Sequence, residues 1–169
     1  KSHYSKAKLM ATNYLYKLTK ENKINACVIR PYLIYGPKQD FNRFIPVVMR
    51  AAILKKDFNC SHGKQFRDYL YIDDFINLIV NILKSKRVKF EIYNAGSGKP
   101  IRIKKIINSI TALAKGGRPK FGKIKTRPDE SKITYASLIK VKKNLKWYPK
   151  VSIKEGLTKT YKYYKKYVR

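Results

Sequence analysis

Apolar side chains recur every three or four residues in five segments of the chain, a spacing that predicts amphipathic helices. The first of these helices covers residues 4–20, and the second covers about residues 43–55. The next two are FINLIVNIL and IRIKKIINSITALAK, the latter ended by Gly116-Gly117. The last begins at a capping box from Ser152 to Glu155 and carries an apolar stripe of Ile153, Leu157, Tyr161, Tyr164 and Val168.

Short apolar runs between these helices predict strands. Residues 26–29 are nearly all apolar and end before Pro31, which is typical of a buried parallel strand. In QFRDYLYIDDF, apolar residues alternate with tyrosines before Asp73 or Asp74, either of which can cap a helix, and FEIYNAGSG is a further strand. Helices and strands alternate throughout, so the predicted fold class is α/β. The strands are too few for a complete doubly wound sheet, and the Gly-rich turn that opens such a sheet is missing.

A formal charge of +30 over 169 residues ordinarily suggests an anionic partner, such as nucleic acid or a membrane surface. Here most of the cations are lysines, and they are scattered through every segment. Lysine, isoleucine, asparagine and tyrosine together make up 74 residues, a bias towards amino acids with A/T-rich codons. Because no nucleic-acid-binding motif is present, we expect no specific nucleic acid partner, only weak binding to polyanions at low salt.

The cysteine content and the hydropathy exclude further classes of protein. The length allows one domain with a sizeable core. Cys27 and Cys60 provide neither a disulfide framework nor a metal cluster, so we expect no metal site and a reducing, cytoplasmic location. No apolar run approaches the roughly 18 residues that cross a bilayer, and no signal peptide is visible, so no membrane partner is expected.

The stretch HYSKAK places Tyr4 and Lys8 one turn apart on the same face of the first helix. Alone this motif carries little weight, because a lysine-rich, solvated helix with a tyrosine on its apolar side has the same spacing. Four further stretches follow it in a fixed order: RPYLIYGPKQ, FRDYLYIDD, YNAGSGKPIRI, and RPDE leading to NLKWYPKVSIKEGL.

Together these five stretches resemble the C-terminal half of the extended short-chain dehydrogenase/reductase family, the nucleotide-sugar epimerases and dehydratases. The resemblance implies the C-terminal portion of a Rossmann-type, NAD(P)-binding fold plus a small α/β substrate-binding domain. Residues 1–36 would be the tail of the cofactor domain, with 90–97 returning to the same sheet. Residues 37–89 and 98–169 would form most of the substrate domain. Because the Gly-rich half of the family pattern lies outside the sequence, we expect a fragment that neither holds NAD tightly nor turns over by itself.

The resemblance assigns the acid–base chemistry to Tyr4 and Lys8. A phenol ionises near about pH 10 and is a poor base at neutral pH, but a neighbouring ammonium and the positive nicotinamide favour the phenolate. In the family, the tyrosine takes a proton from a sugar hydroxyl while hydride leaves the same carbon, and the lysine also bonds the nicotinamide ribose. Tyr4, Lys8 and Pro31 are therefore the expected cofactor contacts, with NAD as the cofactor and NADP as the open alternative.

The resemblance also assigns a substrate-binding set. Leu33 stands where many members carry an asparagine that touches the sugar nucleotide, so contact with the sugar is in doubt there. Arg43 and Phe44 align with residues that line the base pocket. Arg67 matches an arginine that binds the diphosphate, for which its planar guanidinium is suited. The alternative for Arg67 is a surface ion pair with Asp68.

The RPDE stretch completes the substrate-binding set. Arg127 would meet phosphate, and Glu130 would accept a hydrogen bond from a ribose hydroxyl. The alternative is a local ion pair between the two. We interpret Trp147 as a core anchor, and we assign no role to His3 or His62.

The implied activity is that of an NAD(P)-dependent nucleotide-sugar epimerase or dehydratase, with hydride transfer at the sugar C4, and the implied partner is a nucleotide-diphosphate sugar. The full-length protein is expected to be a homodimer. A 4-ketoreductase of a CDP-, dTDP- or UDP-sugar, a non-catalytic nucleotide-sugar-binding relative and a polyanion-binding basic module are the alternatives.

Overall fold

The computed structural model describes residues 2–85 and 90–168, along which helices and short strands alternate. The helices are α1 (His3–Lys20), α2 (Phe44–Ile53), α3 (Ile72–Lys84), α4 (Ile103–Ala114), α5 (Ile139–Leu145) and α6 (Ile153–Tyr167). The strands are β1 (Cys27–Pro31), β2 (Leu33–Tyr35), β3 (Asp57–Cys60), β4 (Phe66–Arg67), β5 (Tyr69–Tyr71), β6 (Glu91–Ala95), β7 (Ile101–Arg102), β8 (Arg118–Phe121) and β9 (Ile133–Thr134). All five predicted helices are present, within a few residues of their predicted bounds.

Most of the strand pairs are parallel. β1 pairs with β6, so that Cys27 lies opposite Glu91 and Pro31 opposite Ala95. β2 pairs with β5, and β3 with β8, in the same sense. β4 is the central strand of a three-stranded sheet, antiparallel to β7 and parallel to β9. Parallel strands joined through helices confirm the predicted α/β class.

The buried apolar residues form two clusters. One lies where α2, α4 and α6 pack together and is built on Met49, Ile106, Ile110, Leu157 and Tyr164. The other lies between α3, β6 and α5 and is built on Leu70, Leu78, Tyr93, Val141 and Trp147. Trp147 is only 3% exposed, which confirms its prediction as a core anchor.

Two of the predicted helix caps had different outcomes. Ser152 is the N-cap of α6 and accepts a hydrogen bond from the Glu155 amide at 3.2 Å, as predicted. The prediction that Asp73 or Asp74 caps α3 is wrong, because α3 begins after Tyr71 and both aspartates lie inside its first turn. The buried carboxylate of Asp74 instead accepts the amide N–H groups of residues 150 and 151, at 3.0 and 2.9 Å.

Helix α1 differs from the others because none of its residues is buried. The ring of Tyr16 contacts that of Phe90, which directly precedes β6, at 5.2 Å between centroids. Its apolar side chains Tyr4, Leu9, Met10 and Tyr14 are at least half exposed. Among the described residues, no helix combines the length and the apolar character needed to cross a membrane.

Candidate functional site

A cavity of about 600 Å³ opens where the parallel strands β1 and β6 end. Its walls include Pro31, Leu33, Arg67, Asp68, Asn94 and Thr134. Ligands of parallel α/β proteins bind at the carboxyl ends of the strands, because the loops there form a crevice. Three of the predicted site residues, Pro31, Leu33 and Arg67, are therefore brought together at an edge that is suited to a ligand.

The guanidinium of Arg67 is held in one orientation by three hydrogen bonds. Its Nη1 donates to the carbonyl oxygens of Phe66 and Ser131, at 2.7 and 2.8 Å. Its Nη2 donates to Oε1 of Glu130 at 2.6 Å, and the Gln65 amide donates to the same oxygen at 3.3 Å. A guanidinium carries five N–H groups, so within the described part of the chain two remain for a ligand.

The pair formed by Arg67 and Glu130 is largely enclosed, with side chains that are 15% and 25% exposed. The alternative prediction, that Arg67 forms an ion pair with Asp68, is therefore wrong. The predicted alternative of a local ion pair between Arg127 and Glu130 is also wrong, because the carboxylate of Glu130 lies against Arg67. The contact between Arg127 and Glu130 is a backbone hydrogen bond, in which the Glu130 amide donates to the Arg127 carbonyl oxygen. Arg127 itself is exposed.

Asp68 is the residue of this site that sequence reasoning missed. Its side chain is 1% exposed, and its carboxylate accepts four hydrogen bonds. Oδ1 accepts the amide and the hydroxyl of Ser97 at 2.6 and 2.5 Å, and Oδ2 accepts the amides of Gly98 and Ala136 at 2.9 and 3.0 Å. Asp68 thus joins β4 to the turn after β6 and to the segment after β9, and it fixes the strand that carries Arg67.

The turn after β6 begins at Gly96, where there is no room for a side chain. A Cβ on Gly96 would lie 2.5 Å from the Asp68 carboxylate and 2.5 Å from the Cβ of Ala136. The only sequence signal for this arrangement is an acidic residue within the strand-like stretch FRDYLY, which local patterns do not distinguish from an exposed one.

Leu33 also lines the cavity. Its side chain is 44% exposed, and its backbone amide donates to the carbonyl oxygen of Asp68 at 3.1 Å. An apolar side chain at this position offers packing and no hydrogen bond to a ligand.

Tyr4 and Lys8 share one exposed face of α1, as their spacing predicts. The ammonium of Lys8 lies 5.6 Å from the centroid of the Tyr4 ring, and the Tyr4 side chain is 71% exposed. In the described part of the chain, the Arg67 cavity is lined without either residue, so the structure does not place them in its wall.

Arg43 and Phe44 lie at the start of α2. Arg43 is the N-cap and is exposed, with no capping hydrogen bond from its side chain. Phe44 is half-buried, and its ring lies 6.3 Å from that of Tyr69 between centroids. Phe44 therefore faces the residue that follows Arg67 and Asp68 along the chain.

Burial changes the chemistry of Tyr69. Loss of hydration raises the pKa of its hydroxyl well above the usual value, while the nearby Arg67 guanidinium acts to lower that pKa. A phenol with a raised pKa is a poorer base at neutral pH than an ordinary tyrosine, so this environment does not favour Tyr69 as a general base.

Parallel strands joined through helices, with a cavity at the carboxyl ends of β1 and β6, place the chain in the Rossmann-type class of α/β folds. The chain belongs to the NAD dependent epimerase/dehydratase family, whose model matches residues 1–96, more than half of its length. The match confirms the family resemblance of the sequence motifs, and it includes Tyr4, Lys8 and Arg67.

Relatives of known name support the same family. The chain is 34% identical over 142 residues to a UDP-glucuronate 4-epimerase of Thermodesulfobacterium geofontis, covering 81% of this chain and 42% of that protein. It is 28% identical over 133 residues to a CDP-abequose synthase of Salmonella typhimurium, covering 73% and 43%. It superposes with a TM-score of 0.82 and 28% identity on the UDP-glucuronic acid 4-epimerase of Bacillus cereus, solved with UDP-glucuronic acid and NAD, covering 92% and 50%. The chain thus spans about half the length of these relatives.

Proposed function

We propose that the complete protein containing this chain is an NAD-dependent nucleotide-sugar epimerase or dehydratase. In this proposal the chain supplies the acid–base pair and the side of the site that binds the sugar nucleotide. The observation that carries the proposal is the fixed guanidinium of Arg67, which lines a cavity at the carboxyl edge of β1 and β6 in a member of this family.

The course of α1 supports a position for Tyr4 and Lys8 at the same edge. Contact between Tyr16 and Phe90 keeps the second half of α1 near the start of β6. A helix that precedes a parallel strand runs back across the sheet, so its first turns point towards the carboxyl edge. Tyr4 lies twelve residues before Tyr16, or about 18 Å along the helix axis at ~1.5 Å per residue.

The exposed groups of α1 fit the nicotinamide half of NAD. The Tyr4 hydroxyl and the Lys8 ammonium lie on one face and are free to donate to ribose hydroxyls. When bound, NAD accepts the hydride. Tyr4 takes the proton from the sugar hydroxyl, and Lys8 stabilises the phenolate that is needed for this step.

On the substrate side, we assign the diphosphate to the two remaining N–H groups of Arg67. Glu130 holds the guanidinium in place and offers its second carboxylate oxygen to a ribose hydroxyl. Arg127 is exposed and long enough to reach a phosphate, and Arg43 with Phe44 would border the base. Leu33 would contact the sugar through packing alone.

The division into two domains is part of this proposal. Residues 1–36 and 90–97 would belong to the cofactor domain, which the parallel pairing of β1 with β6 supports. Residues 37–89 and 98–169 would then form most of the substrate domain.

The test is made on the complete protein with NAD and a panel of UDP-, CDP- and dTDP-sugars, with products analysed by NMR. We expect an epimerised or dehydrated sugar without net consumption of NAD. Arg67→Ala should raise the KM about 10- to 100-fold, since one hydrogen bond to a charged group contributes about 1.5–3 kcal/mol.

Arg118→Ala is the matched control, because Arg118 is an exposed arginine on β8 away from the cavity. An Arg67→Ala protein with unchanged KM would remove Arg67 from the substrate site. Net consumption of reduced cofactor with a 4-keto sugar would favour the ketoreductase, and no reaction with any sugar nucleotide would contradict the proposed activity.

A further inference from the structure

A second and larger cavity, of about 960 Å³, lies between the connection from α5 to α6 and the turn that leads into β7. It shares no lining residue with the Arg67 cavity. Its wall is formed largely by apolar and aromatic side chains, among them Pro100, Ile101, Leu138, Trp147 and Pro149. The proposed reaction leaves this cavity without a role.

Two polar atoms in the residues of this wall have no partner. The Tyr69 hydroxyl and the Trp147 Nε1 are both shielded from solvent, and neither forms a hydrogen bond to any described residue. An indole N–H can only donate, so it needs an acceptor. A buried polar group without a partner costs about 1–3 kcal/mol, and this cost is removed only where an acceptor reaches the N–H group.

The rim of the cavity is positive. Five exposed lysines line it, and no aspartate or glutamate does. Within the described part of the chain, none of the five forms an ion pair. A cleft with one sign of charge and low-dielectric walls concentrates ligands of the opposite sign. The five are Lys99, Lys105, Lys142, Lys146 and Lys150.

Two further features fit an anion with a flat body. Ser152 and Ile153 bring the N-terminus of the 15-residue helix α6 to the cavity, and helix N-termini favour negative charge. The ring of Tyr148 at the rim is 57% exposed and offers a face for stacking.

We propose that this lysine-rimmed cavity is a second ligand site, which binds a small phosphate ester with a planar, apolar body. The phosphate lies among the lysines and the start of α6, and the planar body lies against the aromatic wall. The site is separate from the proposed substrate site and does not depend on the proposed activity.

The test uses the complete protein with NAD and UDP present at saturating concentration, so that the proposed cofactor and substrate sites are filled. Phenyl phosphate is the probe, and its binding is measured by calorimetry. The indole N–H resonance of Trp147, assigned by its absence in Trp147→Phe, reports on the wall. We expect saturable binding and a shift of this resonance. Inorganic phosphate should bind at least about fivefold more weakly, because it lacks the planar body.

Two double variants that remove the same number of positive charges distinguish binding at this cavity from general electrostatic attraction of the anion to the protein. Lys142→Gln with Lys146→Gln should weaken binding of phenyl phosphate about tenfold. Lys162→Gln with Lys166→Gln, on the exposed face of α6, should change it less than twofold. Arg67→Ala should leave binding unchanged, whatever it does to activity. Absence of binding, equal weakening in both double variants, an unmoved indole resonance, loss in Arg67→Ala or equal affinity for inorganic phosphate would each overturn the proposal.

Discussion

The two halves of the proposed active site are held very differently. The guanidinium of Arg67 donates three hydrogen bonds and the carboxylate of Asp68 accepts four, and the two side chains are 15% and 1% exposed. On helix α1, Tyr4 and Lys8 face solvent, and none of the residues of the helix is buried. The half that we propose binds phosphate is therefore held in place by contacts within this chain, whereas the half that we propose for acid–base chemistry is exposed to solvent.

This difference has a physical consequence. Exposed charges interact weakly, because water screens them, so a lysine beside an exposed phenol activates it only modestly. A pair of this kind interacts more strongly where a bound cofactor and substrate exclude water from it, as we propose for Tyr4 and Lys8. Binding of the sugar nucleotide and chemistry on the sugar should thus be separable by mutation in the complete protein.

The largest expected effect is on turnover. Tyr4→Phe removes the proposed general base and should lower kcat by about 10²–10⁴-fold, the usual contribution of a positioned acid–base group. The Kd for the sugar nucleotide should stay within about twofold, because Arg67 and Glu130 are untouched. Turnover is followed by NMR, and binding by calorimetry.

Tyr14→Phe is the matched control for this change, since Tyr14 is 62% exposed on the same helix. It should leave both kcat and Kd unchanged. If Tyr4→Phe keeps full activity, or if Tyr14→Phe loses as much activity as Tyr4→Phe, then Tyr4 is not the base. The exposed face of α1 would then have no role in catalysis.

The next largest effect concerns the buried half. Asp68→Asn keeps the shape of the side chain but replaces one acceptor oxygen by an NH₂ group that faces backbone N–H donors. We expect a loss of about 2–4 kcal/mol in the free energy of unfolding, measured with urea.

Asp57→Asn is a suitable comparison for Asp68→Asn. Asp57 is 46% exposed and pairs with Lys120 at 3.0 Å on the surface, so its replacement should cost less than about 0.5 kcal/mol. Equal losses in the two variants would show that the four hydrogen bonds of Asp68 do not organise the site.

The helices and strands of this molecule are easier to predict from the sequence than the contacts between segments that are far apart in the chain. The helices could be predicted because their apolar residues recur with a 3.6-residue period, although α1 buries none of its residues, and the cap at Ser152 could be predicted because a capping box is local. Strands β3, β7, β8 and β9 and helix α5 were not predicted, and the two residues of β7 were assigned to the helix that follows them. Two of these strands, β3 and β8, pair across some 60 residues and have no strong alternation.

The same limit applies to the candidate site. Arg67, Pro31 and Leu33 were predicted as site residues from motifs, and they share a cavity. The bond of Arg67 to Glu130, 63 residues away, and those of Asp68, 29 to 68 residues away, are set by the packing of distant segments. No local pattern contains that information.

Alkaline pH tests the packing around α6 with a smaller effect. Burial raises the pKa of Tyr164 to about 12, and the Tyr164 hydroxyl donates to the Gln39 carbonyl oxygen. A tyrosine of the unfolded chain titrates near about pH 10. Between these values the folded chain binds more protons, so this contribution is complete below about pH 10 and is lost as the pH rises towards 12.

The stabilities of wild type and Tyr164→Phe should therefore converge as the pH rises from 9 to 11.5, measured by urea unfolding. Deprotonation of the many lysines changes the self-repulsion of both proteins equally and cancels in this comparison. Tyr14→Phe, an exposed replacement, should run parallel to wild type throughout. A constant gap between wild type and Tyr164→Phe would contradict a raised pKa at this position.

The smallest effect compares two helix caps and so tests the opening contrast directly. Ser2 caps α1, where its hydroxyl accepts the Ser5 amide at 3.3 Å, and Ser152 caps α6 in the same way. Ser152→Ala should lower the free energy of unfolding of the 169-residue chain by about 1 kcal/mol, because α6 is packed into the core. Ser2→Ala should change it by less than about 0.3 kcal/mol, since a helix without buried residues frays without unfolding the rest. Equal losses would mean that α1 is as firmly integrated as α6, and the exposed placement of Tyr4 and Lys8 would then have to be abandoned.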